Sequence, residues 1–465
     1  MIEVDASQQS SARRDHVFHR NLHKTYPVAV RAAGVYLFDE DDKAYLDASS
    51  GAVAVNLGHG VQEIVDAMAA QASQVAFAHT LRFETPVLTE TANQITDLAP
   101  DGLETVYFAS GGSEANEAAM KLARQFHLDS GRPGKHLVIG RWQSYHGNTL
   151  GALSAGGDVG RRTTFSPMLA PYPHVSSPEN EPRPSTSPHE RPTGTEQFDY
   201  IGEIEGVIAR VGAENISAFI CEAIVGSQQG AVVPPPKYLG QVRELCDRHE
   251  IVLIIDEVMT GFGRTGKNFA VEHFDVTPDI ITFGKGVTGG YAPLSGMIVN
   301  DRIVDVIRNR SEGVFRHGYT YSGHPVCLAA GSAALTYYRT HRVLENVVTQ
   351  GRYLRERLDD LQARQPRMGA VRGRGLLLGF DLLEVEGRSR ITSEFFNEVA
   401  MRNGAVFYPG KGRIDGIRGQ HLLIAPPLTI QRVDIDLMLD VLEQTLAQVD
   451  SASAITPHEG MHHES

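Results

Sequence analysis

In PDIITFGKGVTGG, residues 278–290, the apolar residues Ile280, Ile281 and Phe283 read as a buried strand, and Lys285 follows between two glycines. Burying an ammonium is costly, so a lysine there needs a partner or a chemical duty. A second apolar run, IVLIIDEVM, ends in Asp256. Open parallel sheets bind ligands outside the carboxyl ends of their strands, which would set Asp256 and Lys285 on one rim. On position alone, a buried salt bridge or two helix caps account for the pair as well as a catalytic duty does. A third stretch, YFASGGSEANEAAMKLARQF, passes from a strand through Gly111, Gly112 and Ser113 into a helix that begins with Glu114 and carries Lys121 and Arg124 further along. That polarity suits the helix dipole, and glycines there let backbone N–H groups approach an anion. A plainly capped helix is the alternative. In WQSYHGNT, Tyr145, His146 and Gly147 form an aromatic turn that can stack on a flat ligand or pack in a core.

GFGRTGKN imitates a phosphate loop: Gly261, Gly266 and Lys267 have the spacing, but Asn268 stands where a magnesium-binding hydroxyl is required. The preceding Asp256-Glu257 would also set carboxylates against the phosphates. No nucleotide loop is expected.

The elements that must position these groups follow from the pattern. From about residue 60, helical stretches such as VQEIVDAMAAQASQV alternate with compact apolar runs: ETVYFAS, KHLVIG, ISAFICEAIVG, IVLIIDEVM, DIITFG and LSGMIVN. Such alternation argues for an α/β fold with a largely parallel sheet. Residues 34–51 read as a hairpin around an acidic turn. The proline-rich stretch 176–199 reads as a surface excursion, and the first 20 residues and the histidine-bearing tail as loose ends. A long helical region (Leu328 to Leu361), VRGRGLLLGFDLL, QHLLIAPPLTI and a last helix from Arg432 to about Val449 suggest a smaller α+β unit. The expected division is 1–59 (joining the small domain), 60–325 (large domain) and 326–465 (small domain).

Across its 465 residues the chain carries a formal net charge of −13, which speaks against a nucleic-acid surface and leaves small molecules as partners. Cys221, Cys246 and Cys327 are too scattered for a disulfide framework or a zinc site, so no metal is expected. No apolar run approaches the roughly 18–20 residues of a membrane span, and the polar start MIEVDASQQSSARRD lacks a signal-peptide core. A cytoplasmic location is the expectation.

Taken together, a strand-end lysine, a strand-end acid, a glycine-serine anion cradle and an aromatic turn are the needs of pyridoxal 5′-phosphate. The lysine forms a Schiff base with the aldehyde, and the acid keeps the pyridine nitrogen protonated. An imine removes the cost of a separately buried ammonium, and the freed amine serves as a general base.

The chain resembles the class III (ω-type) aminotransferases of fold type I, from the hairpin near residue 34 to about residue 450. The motifs that carry the likeness are SGGSEANE, YHGNT, DEVMTGFGRTG, PDIITFGKGVTGGYAPL, HGYTYSGHPV and VRGRGLLLG. The resemblance implies Lys285 as Schiff-base lysine and proton shuttle, Asp256 on the pyridine nitrogen, and Val258 against the ring face opposite Tyr145. His146 belongs to the same cofactor turn. It implies Gly112 and Ser113, with Gly111, at the phosphate, and Thr320 reaching the phosphate of a neighbouring subunit. Glu222 matches a glutamate that supports the cofactor site, although Ala223 replaces the usual proline. The implied assembly is a homodimer with active sites at the interface, or a tetramer if two dimers join. Arg418 is the candidate for a mobile arginine that binds a substrate carboxylate, with a surface arginine as the alternative. Arg372 or Arg374 reads as a packing residue. Val53 stands where many relatives have a tryptophan, and the chain's tryptophan, Trp142, lies elsewhere. Phe77, His79 or Phe83 would reach the partner's pocket. The implied reaction moves an amino group from an amine or ω-amino acid to a keto acid such as pyruvate or 2-oxoglutarate. A decarboxylase, epimerase or aminomutase would use the same lysine and aspartate.

Overall fold

The computed structural model describes residues 16–179, 198–310 and 312–451; most of the proline-rich stretch, most of the first 20 residues and the histidine-bearing tail lie outside the described residues. A seven-stranded sheet carries the architecture. Its spatial order is Leu103–Ala109, Ser295–Asn300, Ile280–Phe283, Val252–Asp256, Ile216–Glu222, Leu137–Arg141 and His174–Val175. The inner strands are parallel. Every residue of Ile216–Glu222 and of Val252–Asp256 is buried, as expected of strands covered by helices on both faces.

Alternation along these strands feeds two cores. Ala218, Ile220, Ile254 and Ile280 pack under the helix Gly112–Asp129, against Ala119, Leu122 and Phe126. Phe219, Leu253, Ile255 and Phe283 face the other way, toward Ile204 and Val207 of Tyr200–Val211 and Val242 and Leu245 of Tyr238–Arg248. Truncating an aromatic such as Phe219 to alanine would cost about 3–5 kcal/mol.

Two details go beyond these expectations. The strand Ser295–Asn300 is antiparallel to both neighbours. A parallel return needs a crossover of about a dozen residues or more, usually a helix, and the link from Phe283 to Ser295 holds only the short 3₁₀ turn Lys285–Thr288. The long helical region is two helices, Pro325–Thr340 and Val343–Gln362, broken where Arg342 takes a left-handed φ of 52°.

Two smaller sheets complete the chain. One, antiparallel throughout, joins Arg372–Arg374, Leu377–Leu382, Gln420–Ile424 and Tyr408–Lys411. The other is built on the expected hairpin, Tyr36–Asp39 with Ala44–Asp47, and is extended by Ala405–Val406 from the far end of the chain. A third core unites Leu46, Leu57 and Ile64 with Leu354, Phe380, Phe396, Phe407, Leu422 and Leu442. Among the described residues no helix is long and apolar enough to cross a membrane.

Candidate active site

Register at the sheet's carboxyl edge brings the acidic and polar groups together. Asp256 pairs with Glu222 on one side and with Thr282 on the other, so three chemically active side chains lie abreast. Asp256 is 5% exposed. Its Oδ2 accepts from Asn116 Nδ2 and His146 Nδ1, both at 2.8 Å, and its Oδ1 accepts from the Val258 amide at 3.0 Å. A carboxylate has about four acceptor sites; these three donors leave room for one more. Asn116 is itself locked: its Nδ2 also donates to the His146 carbonyl at 2.8 Å, and its Oδ1 accepts from the Thr282 hydroxyl at 2.7 Å. Burial opposes charge on His146, but the Glu222 and Asp256 carboxylates outweigh it and hold its pKa above the ordinary value. His146 Nε2 is buried without a partner among the described residues.

Lys285 begins the turn after Ile280–Phe283 and borders the same pocket as Asp256, Asn116, Tyr145, Val258 and Ser113. Burial lowers its pKa to about 8; Asp256 resists the shift and Arg264 adds to it. Its φ of 44° lies in the left-handed region, a strained setting of the kind stored at functional sites. Among the described residues no hydrogen bond ties its amine, and Asp256 acts on it through charge.

The far end of the pocket is the start of Gly112–Asp129. The first N–H groups of a helix lack intrahelical acceptors and point at an incoming anion. Side chains are excluded there by contact. A Cβ on Gly112 would lie 2.8 Å from Val258 Cγ1, and one on Gly147 would lie 2.1 Å from Ser113 Oγ. Ser113 Oγ accepts from the Asn148 amide at 3.1 Å. An anion cradle, an acid with one acceptor site open, an unpaired amine and an aromatic wall thus converge. They fit the phosphate, ring nitrogen, aldehyde and ring face of pyridoxal phosphate.

Glu222 supports the wall. Its Oε1 accepts from the Tyr145 amide at 2.9 Å, and its Oε2 pairs at 3.0 Å with Arg141, whose side chain is 1% exposed. Arg161 lies over the Tyr145 ring, 4.9 Å from its centroid. Behind the pocket, buried Arg264 donates to the carbonyls of Leu376 and Pro426, to Ser50 Oγ and to Asn56 Oδ1 at 2.5–3.3 Å. The chain leaving Asp256 is thereby tied to both smaller sheets.

Other expected residues do not meet in this chain's pocket. Thr320 is exposed in a turn. Arg418 is exposed and paired with Asp415 at 2.7 Å. Val53 is 1% exposed in the apolar core and is not among the residues lining this chain's pocket. Phe77, His79, Tyr321 and His324 form an aromatic cluster, with Phe77 44% and Phe83 69% exposed. Arg372 is buried and pairs with Asp381 at 2.7 Å, a packing role as read; Arg374 is exposed. Sequence reasoning missed Asn116, Thr282, Ser227 and Met259, of which Asn116, Ser227 and Met259 line the pocket. An amide on the alanine-rich face of a helix, one turn after Ser113, was the available signal for Asn116.

The fold and this arrangement are those of a pyridoxal-phosphate enzyme of fold type I. The model of the family described as aminotransferase class-III matches residues 17–446. An aminotransferase of Bacillus subtilis, described as uncharacterized, is 36% identical over 92% of this chain and 97% of its own length. The putrescine–pyruvate aminotransferase of Pseudomonas aeruginosa is 34% identical over 91% of each protein. The PLP-bound amine transaminase from an uncultivated Pseudomonas species superposes with a TM-score of 0.83 at 32% identity, covering 94% of this chain and 98% of that one. The chain belongs to the class III aminotransferases. It is an enzyme, and its cofactor is pyridoxal 5′-phosphate.

Proposed function

We propose that this transaminase draws its amino group from an aliphatic amine or ω-amino acid and delivers it to pyruvate or 2-oxoglutarate. The observation that carries the reading is the unpaired, low-pKa Lys285 bordering the same pocket as the triply hydrogen-bonded Asp256. When bound, the cofactor supplies an aldehyde for the amine and a conjugated ring that accepts electrons. In this proposal Asp256 holds the proton on the ring nitrogen, and Asn116 and His146 hold Asp256. The Gly111-Gly112-Ser113 cradle orients the phosphate, while Tyr145 and Val258 confine the ring. Lys285, neutral in a large fraction of molecules near pH 8, takes and returns the substrate-carbon proton at Nζ. Such general-base work contributes about 10²–10⁴ in rate.

The aliphatic donor is favoured by the putrescine–pyruvate relative. The division into 1–59, 60–325 and 326–465 is part of the proposal, supported by the hairpin's pairing with Ala405–Val406. So are a cytoplasmic location and a homodimer. The exposed Phe77, Phe83 and Tyr321 support the dimer, with Thr320 on the neighbouring turn.

The test is production of alanine or glutamate from the two keto acids with a panel of amines and ω-amino acids. Lys285→Ala should be colourless after dialysis and inactive. Failure of every donor to aminate either keto acid sinks the substrate reading. Phe77→Glu should shift the protein to monomer in sedimentation; an unchanged dimer removes the aromatic cluster from the interface.

A further inference from the structure

Beyond Arg264, the segment that imitates a phosphate loop turns away from the active-site pocket and borders a second, cationic groove. Thr265 and Gly266 form one wall, and Val348, Arg352 and Arg355 of the helix Val343–Gln362 form another. Arg374, at the end of the strand Arg372–Arg374, closes the groove. Close packing fixes the walls: a Cβ on Gly351 would lie 2.7 Å from the Gly375 carbonyl carbon, and one on Gly375 would lie 2.4 Å from the Thr265 carbonyl carbon. Arg352 and Arg355 are one turn apart on the helix, so they project to the same side.

Charge in this groove is compensated only at Arg355, and there only in part. Arg352 and Arg374, together with Lys267 on the loop beside the groove, are exposed and have no acidic partner among the described residues. Arg355 meets Asp359 only through Nε at 3.4 Å, and its Nη1 is buried without a partner. A buried guanidinium N–H left unpaired costs free energy that an anion would recover. His273, beside the groove, is held neutral: burial, then Arg374 and Lys267, lower its pKa to about 4. Arg372 and Arg413, in the hollow that continues the groove, are already paired with Asp381 and Glu179 and offer nothing new. Such a concentration of cations stands out in a chain of net charge −13.

From this groove we infer a second anion site, separate from the cofactor's cradle, that takes a phosphate group through Arg352, Arg355 and Arg374, with Lys267 on the adjoining loop. Several planar forks with fixed N–H directions suit a dianion with several oxygens better than a single carboxylate. Magnesium has no place in it, because Asn268 follows Lys267 and no carboxylate lines the groove. The phosphate belongs either to inorganic phosphate or to a phosphorylated metabolite.

The experiment is calorimetric titration of the holoenzyme, freed of unbound cofactor by gel filtration, so that the active-site cradle is filled. Inorganic phosphate and glycerol 3-phosphate are titrated separately at low ionic strength. The expected result is one saturable site per chain, weakened roughly tenfold or more in Arg352→Ser/Arg374→Ser and unchanged in Arg402→Ser, an exposed position on another helix. Tighter binding of one titrant assigns the source. If the double variant is misfolded by circular dichroism, Lys267→Ser alone, in an exposed loop, should weaken binding by roughly threefold. No saturable binding, or equal binding by parent and variants, overturns the inference. Binding of a polyglutamate peptide without binding of either phosphate also overturns it, in favour of a protein partner.

Discussion

Replacing Asn116 by aspartate keeps the shape of the side chain and exchanges a donor for a charge. In the parent, Asn116 Nδ2 donates to Asp256 Oδ2 at 2.8 Å. In the variant two carboxylates face each other at that separation. With an effective dielectric constant of about 20, two full charges repel there by about 6 kcal/mol. Neither can leave, because the Thr282 hydroxyl holds one and the Val258 amide the other. The cluster therefore retains one extra proton at neutral pH, shared by the carboxylate pair. An unfolded aspartate has lost that proton above about pH 3.9. The native variant thus binds one more proton than its unfolded chain, and its stability falls as pH rises, by about 1.4 kcal/mol per pH unit relative to the parent. Urea unfolding of the apoenzymes at one fixed concentration, at pH 6 and pH 8, measures this. The gap between variant and parent should widen by about 2.7 kcal/mol across that interval. Turnover should fall as well, since the acid meant for the ring nitrogen now shares its proton. A gap of equal size at both pH values would refute the reasoning, whatever the activity.

Lys285 should react with a small aldehyde, trapped by borohydride in the apoenzyme, with a midpoint near pH 8; a midpoint above pH 10 would remove its special status. The same shift makes the apoenzyme more stable as pH rises from 8 toward 10, because the unfolded chain then binds more protons at this lysine. Glu222→Gln leaves the buried Arg141 facing a neutral amide and should cost about 3 kcal/mol in unfolding experiments. Adding Arg141→Met should recover part of that loss, and no recovery would deny the coupling. Gly112→Ala should weaken cofactor affinity roughly tenfold by pressing on Val258, and Val258→Ala in the same chain should restore most of it. Equilibrium dialysis decides, with unchanged affinity in Gly112→Ala counting against the cradle.

The strands and their charged ends were legible in the sequence because a continuous apolar run closed by Asp256 or Lys285 suits a buried strand that ends at a polar rim and suits little else. Burial on both faces and the carboxyl-edge rule then put both residues on one rim. The hairpin near residue 34 was equally plain. Asn116 and Thr282 were not legible as a unit, because their meeting depends on the register of neighbouring strands and on how a helix docks across them. The reversed strand Ser295–Asn300 was hidden for a related reason: apolar content reports burial, and the length of the preceding link decides direction. Arg342's break in the long helical region rests on one backbone angle with no composition signal. Val53 packs in the apolar core of the single chain, a setting not legible in advance because chain position near a motif does not say which way a side chain turns. Thr320, Phe77 and Arg418 were placed by a resemblance that speaks of assemblies, and a single chain shows only that they are exposed.

Arg264 has a bearing on how such a protein can be remade. Its two terminal nitrogens donate to Ser50 and Asn56 from one end of the chain and to the Leu376 and Pro426 carbonyls from the other, while its Nε is buried without a partner among the described residues. Three segments remote in sequence thus depend on one side chain that follows directly on the pocket wall. A chimera that imports only one of these segments from a relative would strand a buried cation and fail for that reason, not for any fault in the pocket. Chimeras that move residues 47–57, 258–266 and 376–428 together should keep their fold. Mutational effects in those three stretches should therefore be strongly epistatic, even though none of the substituted residues need touch another.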